Sequence, residues 1–192
     1  MKKSYLLGIA LLGASIFTAR ADIIPTLASV TPGSGDFQWN YSANVTVDEM
    51  VRTGDFFTIY DFGSISPGSN TQPAGWTFST SLIGVTPSRV LPTDNPSTLN
   101  LTWTYTGQET IVGGSFLGMF SVVTTTDQLR TSDFAAEATR STGPNVGTKV
   151  DNVGNIAVPV PEMSALAPMI GICGLGMVGF ATSLLRRRQA AK

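Results

Sequence analysis

The chain has 192 residues, a formal net charge of −1, no histidine and one cysteine. These counts exclude Ser-His-Asp and Cys-His catalysis, histidine-ligated metals and an intrachain disulfide. The charge is uneven, because all 13 acidic residues lie between Asp22 and Glu162, where only five residues are basic, a net charge of −8. An acidic domain without a basic patch argues against nucleic-acid binding, since Lys and Arg must neutralise the phosphates.

The N-terminus has the three parts of a secretory signal peptide. Met1-Lys2-Lys3 is positively charged, the apolar run Tyr5–Phe17 is too short to span a bilayer, and Ala19-Arg20-Ala21 fits an A-x-A cleavage site. We therefore expect residues 1–21 to be a signal peptide that signal peptidase removes before Asp22. An uncleaved anchor or a buried helix is the alternative.

The next stretch is rich in strand patterns. Phe37–Val47 is apolar at every odd position and polar at every even one, the period of a strand with one buried face. Leu99–Thr106 repeats this pattern, and Trp76–Leu82 is a weaker version. Phe56–Phe62 has aromatic residues at both parities, which indicates a central strand covered on both sides.

The remaining segments before Val158 are less regular. Ile111–Val123 is too long for one strand, and Gly113-Gly114 predicts a bulge or bend within it. Val146–Val150 and Ile156–Val158 predict one or two last strands around a turn. Thr131–Arg140 has the pattern of a short helix.

Turn-forming clusters of Pro, Gly, Asn and Asp separate these runs, at Thr31–Gly35, Ser66–Asn70 and Pro92–Pro96. Six to eight short strands, with no helices to act as parallel crossovers, favour antiparallel pairing. The sequence therefore predicts an all-β fold, a single exported antiparallel β-sandwich or jelly-roll-like domain over residues 22–157.

The C-terminus has the features of a membrane segment. Two prolines indicate an extended linker over residues 158–164. Ala165–Leu185 is uncharged and as a helix would be about 30 Å long, the thickness of the hydrocarbon core. Arg186, Arg187 and Arg188 then act as the stop-transfer signal and keep residues 186–192 cytoplasmic, with the domain outside.

The same segment resembles the PEP-CTERM family of sorting signals, a region also labelled the ice-binding protein C-terminal domain. The resemblance rests on the apolar span, the triple arginine and a short motif in which Met163 replaces the family's second proline: Val160, Pro161, Glu162, Met163 and Ser164. It implies that an exosortase, a membrane-embedded cysteine transpeptidase, cleaves near Pro161-Glu162. It also implies delivery to the cell surface or an exopolysaccharide matrix. A plain C-terminal anchor is the alternative.

The exported domain has few candidate site residues. Carboxylates are the only catalytic groups left, and no motif links Asp48, Glu49, Asp55 and Asp61, so we expect no enzyme, catalytic residue, metal or cofactor. The alternating Thr and Asn residues predict solvated strand faces. Trp39 and Trp103 are in phase with the apolar positions and predict core. Trp76, which follows Pro73-Ala74-Gly75, is the candidate for an exposed ligand contact.

The sequence thus predicts a non-catalytic structural protein of the cell surface or extracellular matrix. Its expected partners are signal peptidase, the exosortase-like enzyme, the membrane and an exopolysaccharide. A carbohydrate-binding module or adhesin is one alternative, with Trp76 at its site. A permanently anchored single-pass membrane protein is another.

Overall fold

The computed structural model describes residues 22–161. They form nine β-strands: β1 (Ile23–Pro32), β2 (Phe37–Val45), β3 (Glu49–Met50), β4 (Phe56–Ile59), β5 (Trp76–Ser81), β6 (Asn100–Tyr105), β7 (Phe116–Thr124), β8 (Leu129–Arg140) and β9 (Lys149–Pro159). No helix in residues 22–161 is long and apolar enough to cross a membrane. The predicted signal peptide, membrane helix and basic tail lie outside the described residues.

The strands form two antiparallel sheets. The smaller has the order β1-β2-β7. The larger has the order β9-β8-β4-β6-β5. The short β3 also pairs with β8, at its C-terminal end and on the same side as β4. The prediction of an all-β antiparallel sandwich is therefore confirmed.

The core lies between the two sheets and is aromatic. Phe57 stacks on Trp103 with ring centroids 5.2 Å apart and meets the edge of Phe120 at 5.0 Å. Such pairs contribute about 0.5–1.5 kcal/mol each beyond their buried area. The core cluster draws on residues between Ile23 and Val158, so residues 22–161 share one hydrophobic core. A stretch with its own hydrophobic core has the property expected of a domain that can fold alone.

The predicted strand alternation is clearest in β2. Its inward residues are fully buried or nearly so: Trp39, Tyr41, Ala43 and Val45. The predicted bend before β7 is also present, because Ile111 bridges to Val51 and β7 begins only at Phe116. Gly114 has φ 76°, a conformation that favours glycine.

The predicted short helix over Thr131–Arg140 is wrong, because this stretch lies in β8. Strand β8 pairs with β4 on one edge and β9 on the other. Ala135 and Ala136 are both fully buried although they point to opposite faces. Small side chains fit a central strand covered on both faces, and the pairing on both edges overrides helix propensity.

Two other segments differ from the sequence-based prediction. Strand β1 was not predicted, since Pro25 and an irregular register between Leu27 and Ser29 interrupt its period. The tail forms one strand, β9, without a turn at residues 152–155. It continues through Val158 and Pro159, which the sequence placed in the linker, and Pro159 is tolerated because β9 is an edge strand.

Candidate functional site

The structure buries the predicted ligand contact. Trp76 is only 5% exposed, so the prediction of an exposed Trp76 is wrong. Its ring lies 5.3 Å from that of Tyr105 and 5.1 Å from that of Phe120. The cause is strand parity, because Trp76 pairs with Tyr105 on the inner face of the sheet. Trp39 and Trp103 are fully buried, as predicted.

The polar strand faces are only partly solvated. Thr102 is buried, and its hydroxyl lies 2.9 Å from the hydroxyl of Thr58. The Thr58 hydroxyl also donates to the carbonyl of Val85, in the connection between β5 and β6. This connection covers the outer face of the large sheet there, so the prediction of a solvated face is wrong for Thr102. Thr106 is exposed, as expected.

A polar pocket lies at one end of the larger sheet, where the β8–β9 hairpin meets the loop after β3. Its volume is about 250 Å³, and it is lined by Arg52, Thr53, Gln108, Thr110, Thr139, Gly147 and Lys149. We call this feature the charged-end pocket. The sequence indicated no site here, because the lining residues come from segments far apart in the chain.

Asp55 is hydrogen-bonded to three residues that line the charged-end pocket. Its buried carboxylate accepts hydrogen bonds from the Lys149 ammonium, from the Thr139 hydroxyl at 3.0 and 3.2 Å, and from the Arg52 amide at 2.8 Å. Lys149 Nζ also lies 3.3 Å from Glu137. Burial disfavours the ammonium, but the bond to Asp55 and the second carboxylate outweigh it, so the pKa of Lys149 is raised. The Arg52 guanidinium makes no ion pair within residues 22–161.

Two further carboxylates, Asp22 and Glu49, are completely buried near the charged-end pocket. We call them the buried acidic pair. Glu49 Oε1 lies 3.6 Å from the Arg140 guanidinium, yet neither Glu49 oxygen has a hydrogen-bond partner in the described structure. Asp22 Oδ1 accepts a bond from the Ile23 amide at 3.0 Å, and Oδ2 has no partner among residues 22–161.

The surroundings of the buried acidic pair disfavour the ionised form of both carboxyl groups. Burial raises the pKa of Asp22 to about 9, and the nearby charges of Glu49, Asp151 and Asp55 act in the same direction. Burial also raises the pKa of Glu49, although Arg140 opposes the shift. Sequence reasoning singled out Asp22 as the residue after the predicted cleavage site, but could not show that its carboxyl group is buried.

The remaining candidate acids are structural. Asp61 has φ 52°, its backbone amide donates to Asn100 Oδ1 at 2.7 Å, and its Oδ1 accepts from the Asn95 amide at 2.8 Å. In residues 22–161 no group of three or more Asp, Glu, His or Cys side chains could hold a metal ion.

The first two residues of the predicted sorting motif lie against the domain. The Val160 amide donates to the Gln128 carbonyl at 2.8 Å. Pro161 lies beside Gly63, where a Cβ atom would be 3.8 Å from the Pro161 Cα atom. Glu162, Met163 and Ser164 lie outside the described residues, as do Ala19, Ala21 and the triple arginine.

Comparisons with known proteins identify no family. No family model and no curated protein matches the chain. Among solved structures, the chain is similar to the collagen-binding subdomain of the Enterococcus faecalis surface protein ACE. The alignment covers 73% of this chain and 97% of that subdomain, with 14% sequence identity and a TM-score of 0.28. At that TM-score the likeness carries no argument about the ligand of this protein. The fold and site define it as an antiparallel β-sandwich protein with a polar pocket at one end.

Proposed function

We propose that this protein is exported and presents its β-sandwich at the cell surface or in the extracellular matrix, sorted by a PEP-CTERM-type signal. The observation that carries the proposal is that the β-sandwich fills the sequence between the two predicted signals. Ile23, the second residue after the predicted cleavage site, is already fully buried in β1. Strand β9 ends at Pro159, directly before the motif that starts at Val160.

The role we propose for the domain is structural and non-catalytic. In the polar pocket the Thr139 hydroxyl and the Lys149 ammonium both donate to the buried Asp55 carboxylate, so these three groups hold one another in place. An acidic, self-contained sandwich suits a component that must stay folded and soluble outside the cell.

Intact-mass measurement of the protein extracted from the surface of a producing cell tests the sorting proposal. Processing at both ends predicts a chain that starts at Asp22 and ends near Pro161. A mature chain that keeps Arg186–Arg188 would instead establish a permanent single-pass anchor. A Glu162→Ala variant is the matched control, because it should accumulate the unprocessed form without touching the described fold.

The charged-end pocket favours a second function, binding of an acidic sugar of the matrix. Arg52 offers a guanidinium that has no ion pair among residues 22–161, beside hydroxyl and amide groups that together match a carboxylate and the hydroxyls of a uronic acid. A glycan array with residues 22–161 tests this idea. Arg52→Ala should abolish binding of uronate-containing oligosaccharides, while Arg89→Ala, with the same charge change outside the pocket, should keep it. An equal loss of binding in both variants would show that binding depends on net charge and not on the pocket.

A further inference from the structure

The backbone nitrogen of Asp22 lies at a defined position beside the buried acidic pair. It donates to the Thr46 hydroxyl at 2.8 Å, and the Asp22 carbonyl accepts from the Thr46 amide at 3.1 Å. These two bonds extend the β1–β2 register by one residue, since Ile23 pairs with Val45. The sheet therefore holds this nitrogen in place.

The groups around this nitrogen are short of positive charge. Asp22 Oδ2 and both Glu49 carboxylate oxygens are buried without a hydrogen-bond partner in the described residues. Asp55 and Asp151 add negative charge to the surroundings of Asp22. Among residues 22–161, Lys149 bonds Asp55, Arg89 pairs with Asp151 and Arg140 lies 3.6 Å from Glu49 Oε1 without a hydrogen bond, but no cation pairs with Asp22. A buried carboxylate without such a partner is costly.

We propose that the buried acidic pair is the receiving site for the α-ammonium group that cleavage before Asp22 creates, so that processing stabilises the exported domain. This inference rests on the proposed export function. Hydrolysis of the Ala21–Asp22 peptide bond adds the hydroxyl of water to the Ala21 carbonyl and a proton to the Asp22 nitrogen. The amine then takes up a second proton from solvent and becomes a cation.

The geometry requires little movement for this role. The nitrogen and the carboxyl group belong to the same residue, and the bond to Thr46 leaves further donors of the ammonium free. The carboxyl group beside the new charge is itself under the influence of Glu49 in β3, Asp55 just before β4 and Asp151 in β9. In the precursor the domain thus lacks this cation beside the buried acidic pair, and cleavage supplies it.

The test compares two forms of residues 22–161 with identical side chains. A fusion protein whose protease leaves Asp22 as the first residue provides the free terminus. The second form has three alanines before Asp22, which move the amine about 10 Å along the chain. We expect the free terminus to raise the folding equilibrium constant at pH 7 on the order of 10- to 100-fold in guanidinium titrations. Equal stability of the two forms would overturn the proposal.

A variant separates this effect from general N-terminal strain. In Asp22→Asn with Glu49→Gln, the advantage of the free terminus should disappear, and an advantage that persists would refute the acidic pair as its cause. The pKa of the α-amino group, measured by NMR in the wild-type side-chain background, should lie above its ordinary value of about 7.7–8.0. An ordinary value would contradict the inference even if the variant does not fold.

The result of the stability comparison does not depend on whether the export proposal is correct. The N-terminus of the purified domain is set by the fusion protease, whereas N-terminal sequencing of the exported protein shows where the cell cleaves. Cleavage at another residue would refute the predicted processing site, and a missing stability difference would refute the receiving site.

Discussion

Asp22, the residue after the predicted cleavage site, has a carboxyl group whose burial affects folding. Its side chain is fully buried and its pKa is raised to about 9 when the chain continues before it. Because the ordinary pKa of Asp is about 3.9, the folded chain binds this proton more tightly than the unfolded chain. The stabilising effect of the proton is complete below about pH 4 and is lost as the pH rises toward 9.

We therefore predict that the stability of the alanine-extended domain falls as the pH rises from 4 to 9. Asp22→Asn should remove most of this slope, because the amide needs no proton to remain neutral. Urea titrations across this pH range measure it. Asp127→Asn is the control, since Asp127 is exposed and its substitution should leave the slope unchanged. A flat profile for the extended wild-type chain would contradict the raised pKa.

Trp76 is a residue whose exposure the local sequence predicts wrongly. A tryptophan after a Pro-Ala-Gly turn has the local sequence of an exposed site, but pairing with Tyr105 turns its ring into the core. We predict that Trp76→Ala destabilises the domain by about 3–5 kcal/mol. Thermal unfolding measures the loss. Thr77→Ala, on the exposed face of the same strand, should cost far less.

At the scale of elements, β9 depends on one close contact. Gly154 pairs with Phe134, and a Cβ atom on Gly154 would lie 2.7 Å from the Phe134 ring. The ring therefore occupies the space over the glycine and keeps β9 continuous where the sequence suggested a turn.

We predict that Gly154→Ala costs about 1–3 kcal/mol of folding free energy, because the ring must leave its position. Phe134→Leu should cost stability alone but make the added methyl tolerable. The coupling in a double-mutant cycle measures this compensation by chemical denaturation. Strict additivity of the two losses would show that the ring does not meet the new methyl group.

At the scale of the whole molecule, the predicted sorting motif begins on the surface of the folded domain. Val160 is hydrogen-bonded to Gln128, and Pro161 lies beside Gly63. A transpeptidase that acts near Pro161-Glu162 must bind the chain on both sides of the cleaved bond. We therefore expect the sandwich to restrict access to that bond.

We predict that inserting Gly-Gly-Ser-Gly between Pro159 and Val160 accelerates processing several-fold, because the motif no longer has to leave the domain. Pulse-chase labelling of the full chain in a producing cell measures the rate. The same insertion after Gly143, where a Cβ would meet nothing within 4 Å, is the control and should leave the rate unchanged. An unaltered rate with the Pro159 insertion would show that the domain does not limit access.

The sequence by itself determined the all-β class, the alternation of β2, the bend before β7 and the burial of Trp39 and Trp103. These properties depend on local period and on turn chemistry, which a single segment contains. Only the tertiary structure decided that the Ala-rich β8 is a central strand, since its two partners come from distant segments. Pairing likewise decided which face Trp76 occupies.

The charged end of the molecule belongs to the second group. Asp22, Glu49, Asp55 and Lys149 are up to 127 residues apart in the chain, and no spacing rule connects them. Their burial and mutual charge effects exist only after both sheets have formed. Local sequence therefore predicts candidate cleavage sites and the alternation of β2, while long-range packing decides which charges the core must accommodate.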